Sequence, residues 1–223
     1  MTLPAFGAAG TGTTGDPSWP SHSTGHLGLL FVESSGANPV DTPSGWTVIT
    51  GFPVVTPSTR LSGFYKFAAS GSETAPTVTG TSLDHTWAVI VTYTGVNALN
   101  PFHLVATSIS NSTTRKGWPG LTTYLADCMI VNVLAWQIDN AGPLGSGEVN
   151  ADLGSLTERY DAGTISGDGG GLYINDGTKA ARGSFTFTEV TFSSAVVAGF
   201  ATIALQAADQ TFGLKSRIIN TRM

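Results

Sequence analysis

Trp87 to Thr94 reads WAVIVTYT, and this stretch decides the fold class. Aromatic and β-branched residues fill consecutive positions, no helical period is present, and Gly95 ends the run, as in a strand covered on both faces. Working outward, Leu27 to Val32 (LGLLFV) has apolar residues on both parities. Trp46 to Thr50, Leu61 to Ala69 (LSGFYKFAA) and Thr74 to Thr81 are further short strand-like runs. On the other side lie Met129 to Ile138 (MIVNVLAWQI), Leu156 to Asp161, Gly171 to Ala181, Ser184 to Phe187 and Val196 to Leu205 (VVAGFATIAL). Each run is closed by Gly, Asn, Pro or Ser, the punctuation of an all-β sandwich.

Composition agrees. The 223 residues suffice for a metal-free and disulfide-free core. Charged residues make up 11%, and 28 Gly and 11 Pro oppose a helical bundle. A hydrophobic fraction of 41% with a net charge of −5 opposes disorder. The single Cys128 cannot form an internal disulfide. Residues 1–15 have neither the basic nor the apolar segment of a secretory signal, and no apolar run is long enough to span a bilayer, so folding in a cytoplasm is expected. Charge is uneven. Residues 1–209 hold 7 Lys/Arg against 15 Asp/Glu, whereas Lys215, Arg217 and Arg222 follow with no acid. A basic tail on an acidic body can dock on a neighbouring acidic surface or remain solvated. An acidic pI of 5.2 without a clustered basic face gives no sign of a nucleic-acid binder.

The runs occur in the same order twice, and the distance from Tyr65 to Val91 equals that from Tyr173 to Gly199. The expectation is a jelly-roll β-sandwich, its two four-strand halves (26–96 and 129–207) interleaved into one domain over 26–207. An extended arm over 1–25 precedes it and an attachment tail over 208–223 follows. Asn175-Asp176-Gly177 reads as a tight turn, and Leu121 to Asp127 is the best helix candidate.

Several letter patterns suggest chemistry without its context. Gly10-Thr11-Gly12-Thr13-Thr14-Gly15 fits the dinucleotide fingerprint but lacks the flanking strand and helix. His22 and His26 have a metal-like spacing with no third ligand in view. Ser82, Asp84 and His85 carry the letters of a hydrolase triad, but neighbours in an extended chain point apart. His103 stands alone. Glu148, Asp152, Glu158, Asp161 and Asp168 are candidates for a glycosidase carboxylate pair, and equally for solvating groups. Asn111-Ser112-Thr113 is a glycosylation sequon only in form if the host is bacterial. No catalytic, cofactor or metal residues are assigned, and no enzyme activity is expected. The stronger binding signal is aromatic. Trp118, within Lys116-Gly117-Trp118-Pro119-Gly120, reads as a loop residue that stacks on a sugar, anchors in a neighbouring subunit or packs on its own sandwich; Trp136 reads as core. Phe6, Trp19, Trp118, Lys215, Arg217 and Arg222 are the assembly or binding candidates.

An early apolar strand is followed by Pro43-Ser44-Gly45-Trp46-Thr47, Phe64-Tyr65-Lys66, Gly71-Ser72-Glu73 and the run from Trp87 to Val96. Together with the entry segment from Pro17 to His26, this resembles a family of tailed-bacteriophage virion proteins: jelly-roll or β-sandwich modules of capsid decorations, tail fibres and related appendages. The likeness covers Pro17 to Gln206, and the basic end after Asp209 departs from it. The resemblance implies a virion structural protein without cofactor, contacting copies of itself as a homo-oligomer (a trimer by family habit), other virion proteins and a bacterial surface glycan. A carbohydrate-binding host-recognition module is the alternative. Neither nucleic acid nor membrane is an expected partner.

Overall fold

The computed structural model describes residues 2–36 and 38–210. The first half supplies β1 (Ala5–Ala9), β2 (Leu27–Ser35), β3 (Thr47–Val48), β4 (Val54–Val55), β5 (Thr59–Phe67) and β6 (Thr86–Thr94). The second supplies β7 (Phe102–Trp118), β8 (Thr122–Thr123), β9 (Cys128–Trp136), β10 (Gly145–Val149), β11 (Gly154–Thr164), β12 (Gly170–Lys179), β13 (Gly183–Ser184) and β14 (Thr188–Leu205). The described residues contain no helix. Leu121 to Asp127, the expected helix, is instead the short β8 followed by bends.

Two antiparallel sheets pack as a sandwich. One runs β1-β6-β2-β5-β3 with β4 also on β5. In the other, β14 pairs with β7 along one edge and with β9 and β10 along the other, and β9 leads on to β12 and β11. With β4, β8, β10 and β13 set aside, the orders β1-β6-β2-β5-β3 and β7-β14-β9-β12-β11 both read first, fifth, second, fourth, third within their halves. The sandwich and its duplicated halves are therefore present, but the halves do not interleave: each contiguous half forms one whole sheet. They are tied together at their ends, where Val96 bridges Ala207 and Asn97 N–H donates to the Gln206 carbonyl at 2.9 Å.

Alternation sets the layers. Leu27, Leu29 and Phe31 of β2 and Val89, Val91 and Tyr93 of β6 face inward, against Val131 and Val133 of β9, Leu172 and Ile174 of β12 and Ile203 of β14. The outer faces of the central strands are buried too. Leu30, Val32, Phe64 and Ile90 lie with Trp46 and Trp19, while Leu134, Trp136, Tyr173, Phe192 and Phe200 surround Trp118. Covering both faces explains why the central strands read as continuous apolar runs rather than as alternation.

Four expectations change. Tyr65 packs against the inner core whereas Tyr173 faces outward, because Leu29 pairs with Tyr65 and Val91 while Leu134 pairs with Tyr173 and Phe200. The matched spacing is thus offset by one residue, which in a strand reverses the face. Asn175-Asp176-Gly177 is no turn: it lies within β12, paired with Asn132, Val131 and Ile130. Thr74 to Thr81 forms no strand, only a bridge from Gly80 to Val40. The described part of the N-terminal arm belongs to the body. β1 pairs with β6, Thr13 bridges Ala88, and the Trp19 ring occupies the space where a Cβ on residue 28 would stand.

Candidate functional site

Three of the five candidate carboxylates converge on the outer face of the second sheet. A β-bulge makes this possible. Glu158 lies opposite Asn175 and Tyr160 opposite Ile174, so one extra residue on β11 brings Glu158 and Asp161 to one face, although they are three apart. The same bulge sends Arg159 and Tyr160 inward, Arg159 to Asp176 and Tyr160 to the Trp87 indole N–H at 2.8 Å. Glu148 comes from β10, where it accepts the Tyr173 hydroxyl proton and shares a hydrogen bond with Glu158. Asp161 Oδ2 accepts the Leu144 and Gly145 backbone N–H groups at 2.8 and 2.6 Å.

The electrostatics follow from this crowding. Burial, then the negative charges of Asp161 and Glu148, push the Glu158 carboxyl up to about 7. Burial also pushes Asp161 up to about 6, against the lowering effect of its two backbone donors. Two carboxyls raised toward neutrality beside a third carboxylate are the kind of grouping that general acid–base chemistry uses. Asp152 and Asp168 lie elsewhere. Asp152 accepts the Thr186 N–H at 2.9 Å, and the Asp168 carbonyl accepts from Gln137.

A second cluster has a buried core of Glu33 and His85 and an exposed third member, Asp84. His85 Nδ1 lies 2.7 Å from Asp84 Oδ1 and its Nε2 lies 3.1 Å from Glu33 Oε2, while the Thr59 hydroxyl donates to Glu33 Oε1 at 2.9 Å. Burial works against a charge on His85, but hydrogen bonds and charge from Glu33 and Asp84 outweigh it and raise its pKa to about 9. Gly170 packs directly on the Glu33 carboxylate and Gly167 on Asp84, so the glycine-rich loop of the second half covers Glu33 and His85 while Asp84 stays open to solvent. Ser82 stands apart, its carbonyl accepting from Asn38, and no Ser-His-Asp arrangement forms.

The remaining singled-out residues have structural surroundings. Trp118 is fully buried and donates its indole N–H to the Val133 carbonyl at 2.8 Å, so of its three readings it is the packing on its own sandwich that the structure shows, on a strand rather than in a loop. It is the last residue of β7, and the Gly and Pro around it mark a strand end. Trp19 lies between His22 and Trp46, with ring centroids at 4.8 and 5.3 Å. Phe6 packs edge-on to Tyr93 under the Arg159 guanidinium, 4.2 Å from the ring centroid. His22 Nε2 accepts the Glu73 N–H, and no group of three or more His, Cys, Asp or Glu among the described residues could hold a metal ion. Gly12 of the fingerprint-like segment packs on Tyr160 and Trp87. Lys215, Arg217 and Arg222 lie outside the described residues.

Two features had no reading in the sequence. Lys116 is buried, donating to the Val196 carbonyl at 2.5 Å and to Ser110 Oγ at 3.1 Å, and burial lowers its pKa to about 8. The other is β7 itself, a 17-residue strand at the sheet edge that pairs only with β14 among the described residues. Its polar Ser, Thr and Asn letters conceal a strand whose pairing is set by distant residues. Comparison with protein-family models, with curated proteins and with solved structures finds no match for the chain.

Proposed function

We propose that this chain is a structural protein of a tailed-bacteriophage virion: a β-sandwich module, displayed on capsid or tail, that assembles with copies of itself and with other virion proteins. The observation that carries the reading is the long edge of β7. Among the described residues, a duplicated sandwich whose outer faces are largely covered by its own segments keeps an extended row of backbone donors and acceptors along β7 for contact. The sequence resemblance from Pro17 to Gln206 supplies the phage assignment. Contact with the host surface belongs to the same reading, since a displayed module is what meets the cell. Immunogold labelling of intact particles with antibody against the purified chain tests it. Decoration of heads or tails is the expected result, and particles that lack the protein overturn it.

A carbohydrate-binding module is the second reading, and one observation favours it. Trp118 and Trp19 are occupied by intramolecular packing, but Tyr124 is 70% exposed and stands edge-on to His103. An exposed ring of this kind can stack on a sugar face. Binding to host envelope glycan that falls at least tenfold in Tyr124→Ala supports this role, and unchanged binding removes it.

A further inference from the structure

Among the described residues, the edges of the two large sheets are blunted except along β7; β10 has five residues and an irregular register. β1 is short and its pairing with β6 is irregular, and β3 and β4 have two residues each. The outer edge of β11 meets the 141–145 segment: Gly163 N–H donates to the Ala141 carbonyl at 2.9 Å, and Asp161 binds two further N–H groups. These are the usual defences against unwanted pairing. β7 lacks them. From Phe102 to Thr114 it contains no Lys, Arg, Asp, Glu or Pro, in a chain whose first 209 residues carry twice as many acids as bases.

Within β7, Leu104 to Ser110 is the uninterrupted part. These residues pair one for one with Ala204 to Ala198, and register shifts flank them at Phe102 and Thr113. Thr107 is at the centre. Val105, Thr107 and Ile109 share one face, opposite Ile203, Ala201 and Gly199, and Ile109 is 60% exposed. Beside Val105 is a hollow of about 470 Å³ lined also by Gly51 and Leu99.

We infer that a second copy of this chain pairs with β7 edge to edge, antiparallel, about a two-fold axis at Thr107. The two sheets then continue as one across the dimer. Thr107 lies opposite Thr107 of the partner subunit, and Val105 lies opposite Ile109 of the partner subunit at the mouth of the hollow. On the other face Ala106 meets Ser108 of the partner subunit. Threonine pairs and β-branched apolar pairs are favourable cross-strand neighbours, and no like charges face each other in this register. The contact is isologous and closes at two copies, unlike the trimer implied by the resemblance. Seven paired positions make a small interface, so the dimer is concentration-dependent rather than obligate. This inference deepens the proposed role by naming its self-contact.

Sedimentation equilibrium of the full chain, combined with cross-linking, is the test. The wild type is expected to dimerise. Thr107→Arg sets two guanidinium groups face to face and is expected to weaken the dimer about 100-fold without moving the thermal midpoint of the dilute, monomeric chain. Thr107→Cys is expected to form an intersubunit disulfide under mild oxidation, while Ile165→Cys at a distant exposed position does not. The native thiol does not interfere, because Cys128 is buried and pushed up to about 11. A monomer at all concentrations up to about 0.5 mM, a trimer, a dimer that survives Thr107→Arg, or a Thr107→Cys dimer without the cross-link overturns the inference. Decorated particles together with a monomeric chain overturn the edge pairing alone, whereas a dimer that is absent from particles overturns the virion role alone.

Discussion

The Tyr93 hydroxyl donates to Asp176 Oδ2 at 3.0 Å, joining β6 of one sheet to β12 of the other through a largely apolar interior. Arg159 completes the group, with Nε and Nη2 each 2.9 Å from Asp176 Oδ1. The first partner of Asp176 is thus a neutral hydroxyl and the second a cation, and the two are unequal in energy. Tyr93→Phe removes one hydrogen bond and leaves the ion pair, a loss of about 1 kcal/mol or roughly 2–4 °C in Tm. Asp176→Ala leaves Arg159 without its carboxylate in a site only partly open to water, costing roughly 3 kcal/mol. Thermal unfolding of both variants should therefore rank them clearly, and equal losses would remove the distinction.

The carboxylate trio predicts how stability depends on pH. Glu158 and Asp161 titrate at about 7 and about 6 in the folded chain, above the ordinary carboxylate range. Between about pH 4 and 7 the folded state therefore binds more protons than the unfolded state, and linkage makes stability fall as pH rises through that window. Above it their contribution is constant. Urea unfolding at pH 5, 6, 7 and 8 should show the decline, and Glu158→Gln, which retains the shape and removes one titration, should flatten it. An unchanged slope in Glu158→Gln would place the origin elsewhere.

How far sequence revealed this molecule depends on whether a signal is local. WAVIVTYT, LGLLFV and MIVNVLAWQI are β6, β2 and β9, because burial on both faces writes continuous apolar letters into the strand itself. β1 escaped because AFGAA has small side chains, which fit where Gly7 packs on Thr92 but look like low complexity. Asn175 and Asp176 resemble a turn because the same polar atoms that favour turns also serve buried networks: Asn132 Nδ2 lies 2.9 Å from Asn175 Oδ1 inside the sheet. In the carboxylate site the residue types were legible, but the bulge that unites Glu158 with Asp161 depends on register against β12. No spacing rule predicts that.

Because each half is a complete sheet, neither can conceal its own inner face. Leu27, Leu29, Val89 and Val91 are covered by Val131, Val133, Leu172 and Ile203, all from the other half. Residues 2–96 and 97–210 expressed separately should be insoluble or bind a hydrophobic dye, and co-expression should restore a soluble complex. A soluble, cooperatively unfolding first half would show that the sheets are independent domains and would contradict the shared core.

Removal of residues 2–12 tests whether the N-terminal segment is an arm or part of the sandwich. An arm that only grips neighbours can be deleted without effect on the body. β1, by contrast, satisfies the outer edge of β6, and its Phe6 ring fills the space between Tyr93 and Arg159. Gly10 N–H donates to the Ile90 carbonyl at 2.8 Å and Gly12 lies against Tyr160. Deletion uncovers this edge and removes a partly buried aromatic contact, so a loss of roughly 3 kcal/mol is expected, seen as a fall in Tm of roughly 6–12 °C. Phe6→Ala alone, which keeps the backbone pairing, should fall between wild type and the deletion. A truncated chain with the wild-type Tm would restore the arm reading.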